Sequence, residues 1–490
     1  MHYLDLGVIV AYLIAITWFG ARFRTSQKSL KDYFLGGQSA PWWAIALSIV
    51  SAETSTLTVI GTPALSFRGN FEFLQVVLGY LLARIVISTL FLPHYFRGDM
   101  YTAYELMRRR FGERIRRLTA GTFLILRTMA EGVRVFAISI VIAIVLGTGE
   151  IASIIVIVCL TLFYTFEGGL TAVIWTDVVQ MILYVGGAIL SFFVILHQIP
   201  GGWEHVRAMA SDSAKFQMFD LRFAFSADFF ARSYSFWAGI IGGCFLTTAS
   251  HGTEQLMVQR LLAARSERDS RTALFASWGV VFFQFALFLF VGVLLFVHYQ
   301  DNHLAAPNPA DRIYPQFVWN NLPPGIAGLV IAAILAAGMS NLSAALNSLA
   351  STTVMDFYRP FAIRRGRQRS EAHFMTLARW TTVLWGVLLF LVGLVARHWG
   401  SVLEAGLTIA SILYGSLLGI FLLGVLTTSV GEKAGMIGML VGFLLMIWIK
   451  QFTTIAFTWY VLIGTSATFS VGWLSSRLIH ETPREANANS

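Results

Sequence analysis

Charge is what this chain most lacks. Only 12% of its 490 residues are Asp, Glu, Lys or Arg, about half the share of an ordinary soluble domain. With 56% hydrophobic residues, a water-soluble globule is excluded and an all-α polytopic membrane protein is expected. Cysteine is almost missing. Cys159 and Cys244 are the two in the chain, and both lie inside apolar runs, so neither a disulfide framework nor a thiolate metal site is expected. The 10 histidines are scattered without metal-ligand spacing. Phosphate loops of the GxxxxGK type, nucleophile elbows and HExxH helices do not occur. No catalytic set and no cofactor is therefore expected, and an enzyme is disfavoured.

What is present is a succession of apolar runs. Thirteen spans are expected, near 4–21, 41–66, 71–96, 118–147, 151–166, 170–197, 234–262, 272–298, 323–357, 379–396, 402–426, 434–450 and 455–476. Each is long enough, or nearly so, for a hydrocarbon core of about 30 Å. The first begins at Leu4 with no basic segment before it and no small-residue cleavage signature, so it reads as a retained span. Positive charge then alternates between loops. Arg22, Arg24, Lys28 and Lys31 follow the first span, and Arg97, Arg108, Arg109, Arg110, Arg114, Arg116 and Arg117 follow the third. Arg260, Arg265, Arg268 and Arg271 follow the seventh, and Arg359, Arg364, Arg365, Arg367, Arg369 and Arg379 the ninth. These loops share one parity, so they are expected in the cytoplasm of a cell whose plasma membrane holds the protein. That places the N-terminus outside and the C-terminus, with the polar tail 481–490, inside. The net charge of +9 is thus topology information and not a nucleic-acid surface.

Polar residues occur where lipid should be. Residues 48–63, SIVSAETSTLTVIGTP, put Ser51, Glu53, Thr54, Ser55, Thr56 and Thr58 in mid-span before Gly61 and Pro63. Residues 247–260, TTASHGTEQLMVQR, do the same around His251, Gly252, Thr253 and Glu254. Such runs favour broken helices, whose freed backbone groups can hold an ion when they line a cavity. Two breaks five spans apart suggest an inverted five-plus-five repeat, with halves at 41–197 and 234–426. The helices at 4–21 and 434–476 are then peripheral, within one transporter domain over 1–480. Asp177, Arg84 and the set Arg127, Glu131 and Arg134 are further charges inside spans. The last three fall at i, i+4 and i+7, so Glu131 can pair on either side.

The ninth span, Ile331 to Pro360, is threaded with hydroxyls and amides. Ala336, Ser340, Ser343 and Asn347 form one helical stripe, and Ala337, Asn341, Ala344 and Ser348 the next. From the residues alone this is either helix–helix packing or an ion site. Pro360 is expected to end the helix.

The chain resembles the sodium/solute symporter family of sodium–glucose, sodium–proline, sialic acid and monocarboxylate cotransporters. The likeness is carried by DYFLGGQSAPWW at 32–43, TAYELMRRRFG at 102–112, GGLTAVIWTDVVQ at 168–180, EQLMVQRLLAARS at 254–266 and the MSNLSAALNS segment of the ninth span. It implies a leucine-transporter-like repeat, sodium-driven uptake and alternating access. It also implies a sodium site from the carbonyls of Ser51, Thr54 and Ala337, the hydroxyl of Ser340 and the side chain at 341. Asn341 stands there where many members have serine. Some members bind a second sodium, for which Asp177, Ser340 and Ser343 match and Ala344 departs. By position, Thr56, Thr58, Gln75, Arg134, His251 and Thr253 are the expected liners of the substrate pocket. Leu407, beside Thr408, replaces a sugar-binding glutamine.

The function expected is sodium-coupled symport of a small polar organic solute, an organic acid, sugar or amino acid. The rivals are a proton-coupled or uncoupled carrier, with Asp177, Glu53 or His251 titrating, and a membrane sensor, for which no signalling-sized segment follows residue 480.

Overall fold

A computed structural model describes residues 3–23, 29–98, 100–146, 149–307, 310–366, 369–396, 402–479 and 481. Arg24, Lys28, Arg367, the tail beyond Glu481 and the side chains of Leu407 and Thr408 lie outside the described residues. The described chain is helical. In order the helices are α1 (Tyr3–Ala21), α2 (Leu30–Leu35), α3 (Trp42–Glu53), α4 (Thr56–Arg68), α5 (Leu74–Val86), α6 (Leu92–Tyr95), α7 (Ala103–Arg110), α8 (Glu113–Leu146) and α9 (Glu150–Gln198). The outer segment that follows carries α10 (Gly202–Asp212) and α11 (Ala227–Ala231). Then come α12 (Gly243–Gly252), α13 (Gln255–Leu262), α14 (Glu267–Asp301), α15 (Ile313–Asn321), α16 (Ile326–Thr352), α17 (Arg359–Arg364), α18 (Glu371–Ala396), α19 (Val402–Leu426), α20 (Glu432–Phe452) and α21 (Phe457–Leu478). Among the described residues eight helices are long and apolar enough to cross a membrane, or nine if the bent pair α3–α4 counts as one span.

That bend is 64°, and its cause is local. Thr54 and Ser55 are extended, and the Thr58 hydroxyl accepts the Ser55 N–H at 3.3 Å, so α4 starts afresh on its own cap. Short hydroxyl side chains that bond nearby backbone compete with the helix ladder, and five of them crowd this segment. The second expected break also forms. α12 stops at Gly252, Thr253 and Glu254 leave the helix, and α13 restarts at Gln255. Gly169, with φ of 54°, divides the long run of α9, at the boundary expected between the fifth and sixth spans.

α16 is the central post, with nearly every side chain from Ala327 to Thr352 buried. Its start is capped from another helix: Asp5 of α1 accepts the N–H groups of Gly325 and Gly328 at 2.7 and 2.8 Å. A Cβ on Gly328 would stand 2.6 Å from the Cα of Asp5, so only glycine lets the two helices meet this closely. Pro360 does not end the post. A π-helical turn over Thr353–Tyr358 precedes it, and the proline takes a first-turn position in α17, where no intrahelical N–H is needed. The helical run therefore continues to Arg364.

The outer segment after α9 folds back on the bundle. Lys215 sets its ammonium over the Phe296 ring at 4.0 Å and donates to the carbonyls of Phe67 and Gly69 at 2.7 and 2.9 Å, satisfying the end of α4.

Candidate ion and solute site between the breaks

The first break faces α16 across a hydroxyl pair. Ser51 and Ser340 lie 2.6 Å apart, both fully buried, and Ser340 donates to one oxygen of Asp177 at 2.6 Å. The other oxygen of Asp177 takes Ser48 at 2.6 Å and Arg260 at 2.8 Å. Arg260, which the sequence places among the loop charges, is in fact 1% exposed. A buried carboxylate needs a counter-charge, and α13 delivers one. Ser343 spends its hydroxyl on the Ser340 carbonyl at 2.9 Å and does not reach Asp177.

Thr54 receives the amide of Gln284 at 2.5 Å, the buried Gln284 Oε1 has no hydrogen-bond partner, and the buried Tyr184 hydroxyl stands beside Ser51 and Thr54. Buried polar atoms left unpaired are costly. An unpaired amide oxygen and a phenol oxygen beside the Ser51–Thr54 turn therefore suit a cation cage of neutral oxygens. Gln284 is a lone polar residue in VVFFQFALF, and Tyr184 is the one phenol in the apolar run MILYVGGAIL. That isolation in apolar surroundings was the signal to find them.

Asn341 departs from the expected ligand set. Its amide nitrogen donates to the Ala52 carbonyl at 2.6 Å, and its Oδ1 accepts Arg127 at 3.0 Å and Arg134 at 3.1 Å. The side chain thus turns away from the serine pair and toward two guanidiniums. An oxygen already polarised by two cations is a poor ligand for a third. The pairing expected within α8 is present: Glu131 lies 2.5 Å from Arg127 and also pairs Arg134. Glu254, in the second break, takes Arg127 at 3.1 Å and the Tyr414 hydroxyl. Arg84 is not alone either. It reaches Glu53 at 3.1 Å, and Glu53 lies 3.3 Å from His251.

A cavity of about 170 Å³ opens between the breaks, with Glu53, Thr58, Arg134 and His251 in its wall. Arg134 is the most accessible of the buried-network charges there, its side chain 24% exposed. Both of its hydrogen bonds run through Nη1, so Nη2 and Nε have no partner among the described residues. The structure does not bring three of the expected liners to this cavity. Gln75 is fully buried and occupied by the Tyr234 carbonyl at 2.7 Å and the Asp220 N–H at 3.1 Å, tying down the outer segment. Thr253 turns its hydroxyl onto the Ala249 carbonyl at 2.7 Å. Thr56 packs against Gly338, where a Cβ would come within 2.5 Å of its oxygen.

Known proteins are similar to this chain in sequence and in fold. The sodium/sialic acid symporter NanT of Aliivibrio fischeri is 27% identical over 96% of this chain and 93% of its own. The human sodium/iodide cotransporter is 27% identical over 92% of this chain and 70% of its own. The solved structure of a Na+-coupled sialic acid symporter, substrate-bound and outward-open, superposes with a TM-score of 0.88 at 26% identity, over 98% of this chain and 99% of that one. The transporter Mhp1, at 11% identity and a TM-score of 0.50, shares the fold alone. The sodium:solute symporter family model matches residues 33–442, and the chain with its two broken helices and buried serine pair belongs to that family of transporters.

Proposed function

We propose that the protein imports a small organic anion together with sodium. The half-satisfied guanidinium of Arg134 carries the solute side of this reading. Its free Nη2 and Nε form an edge suited to a carboxylate, in a cavity whose carboxylates Glu53 and Glu254 are both paired. The relatives named for iodide, sialic acid and, among others, monocarboxylates move anions, which supports the same class here. Thr58 and His251, also in the wall, are the proposed polar contacts for the rest of the solute.

Sodium is assigned to the turn at Ser51–Thr54, with the Ala337 carbonyl and the Ser340 hydroxyl opposite. Asn341 has a different role in this proposal. It touches the Ala52 carbonyl on one side and Arg134 on the other, so it links the ion turn to the solute site. A carboxylate docked on the Nη2–Nε edge draws the guanidinium toward itself, loosens the Nη1 contact with the Asn341 oxygen and so shifts the side chain that holds the turn. Coupling is then local, and by linkage sodium and solute raise each other's affinity by one common factor. The halves 41–197 and 234–426 rock about this site, in a plasma membrane with the N-terminus outside.

Proteoliposomes under an imposed sodium or proton gradient test the proposal, with pyruvate, sialic acid and glucose offered as solutes. Sodium-driven uptake of an acid and not of glucose is expected; uptake indifferent to sodium sinks it. A proton-driven reading has one observation in its favour, the Glu53–His251 contact that joins the two breaks at the cavity wall. The proton-gradient arm decides that reading.

A further inference from the structure

A second cavity, of about 560 Å³, lies between the start of α8, α7 and the far end of the central post. It shares no lining residue with the cavity between the breaks. Its wall holds Arg108, Arg116, Arg359 and Arg364 against two carboxylates, Glu105 and Glu113. These charges are unequally matched. Arg108 is fixed by Glu105 at 2.8 Å, and Arg116 by Asp356 at 2.7 Å and the Met355 carbonyl at 2.6 Å. Arg364 has only a 4.0 Å approach to Glu113. Arg359 lies over the Tyr101 ring at 5.7 Å and has no carboxylate within ion-pair distance among the described residues. Two guanidiniums of α17 thus face one polar cavity with little to neutralise them. On the same short helix Phe361 and Ile363 are 47% and 64% exposed, an apolar wall beside the charge.

We propose that this cavity is a binding site for a phosphate-bearing anion, held by Arg359 and Arg364. Guanidinium pairs match phosphate oxygens in fork geometry and stay charged at every working pH. Basic pockets between membrane helices at the face marked by basic loops are suited to anionic headgroups. A lipid headgroup and free phosphate in solution present the same chemistry of recognition to this site. Its position gives it a consequence. It ties the start of α8, which carries Arg127 and Arg134, to the far end of the helix that carries Ser340. Occupancy therefore stiffens the frame around the transport site without entering it.

The test uses the full-length protein purified in detergent, as wild type, R359Q/R364Q and R365Q. Arg365 is exposed, stacks on Phe361 at 4.3 Å and does not line the cavity, so R365Q controls for lost charge. Native mass spectrometry after exchange with phosphatidylglycerol or phosphatidylcholine reads lipid retention, and thermal unfolding against inorganic phosphate at constant ionic strength reads the soluble arm. Phosphatidylglycerol retained by wild type and R365Q, with about 30-fold weaker retention by R359Q/R364Q at about fivefold per arginine, supports the lipid source. Phosphate stabilisation lost only in R359Q/R364Q supports the soluble source. Equal retention and equal stabilisation in all three proteins overturn the proposal. Should R359Q/R364Q not fold, R364Q alone, whose side chain is 54% exposed, carries the same comparison.

Discussion

Ser340 and Asn341 are neighbours on one helix and belong to networks of opposite character. Ser340 meets another serine and a carboxylate, an oxygen-rich corner that suits a small cation. Asn341, turned about 100° around the same helix, meets two guanidiniums and a carbonyl, a corner that suits an anion. One residue step therefore separates the proposed ion side of the transporter from its solute side, and α16 is the wall between them. Opposite charges can be served in so small a space because a helix turns consecutive side chains into different compartments.

Removing the cation of the anion corner is the heaviest way to break this contrast. R127M leaves Glu131 and Glu254 buried with one fewer partner each, and a loss of about 3–5 kcal/mol is expected. Thermal unfolding in detergent reads it; a shift within error would mean the network is not a charge balance. S340A attacks the other corner. It removes the hydroxyl between Ser51 and Asp177, for about 1–1.5 kcal/mol, so the sodium needed for half-maximal uptake rises about tenfold. Unchanged sodium dependence would move the ion elsewhere.

N341S sharpens the comparison instead of breaking it. Serine keeps an oxygen but is too short to span Ala52 and Arg134 together. The factor by which solute lowers the sodium half-saturation should shrink several-fold, from a coupling of about 1–3 kcal/mol. Sodium titrations at low and saturating solute measure it, and a preserved factor rules out the relay. T253V is expected to do least. Its hydroxyl serves one carbonyl of the helix just before it, so solute half-saturation should stay within about twofold, roughly 0.5 kcal/mol. A larger change would return Thr253 to the pocket.

Much of the fold was legible because a membrane forces pattern onto sequence. Hydroxyl runs at 51–58 and a glycine at 252 signalled breaks, since a helix in lipid has few other uses for them. The i, i+4, i+7 spacing revealed the pairing of Arg127, Glu131 and Arg134, because all three share one helix. What stayed hidden was contact between distant segments. Arg260 read as a loop charge because it ends an apolar run, yet 83 residues separate it from the Asp177 it neutralises. Gln75 read as a liner by position, while its partners sit in the outer segment some 150 residues on. The direction of the Asn341 side chain stayed hidden too, since spacing sets the face of a helix but the rotamer answers to its neighbours. Pro360 read as a stop because the π-turn before it leaves no mark in composition.

The cap that Asp5 provides to the central post also orders events in time. Asp5 is synthesised before the glycines it serves, Gly325 and Gly328, which emerge more than 300 residues later. Until then the first helix enters the bilayer with a carboxylate that lacks its final donors, and the post cannot be seated without a helix already waiting beside its birthplace. The first helix is outside both proposed repeats, yet it is the docking mark against which the most buried helix of the second repeat is set to depth. Assembly of the core therefore closes on a residue made more than 300 positions before the helix it caps.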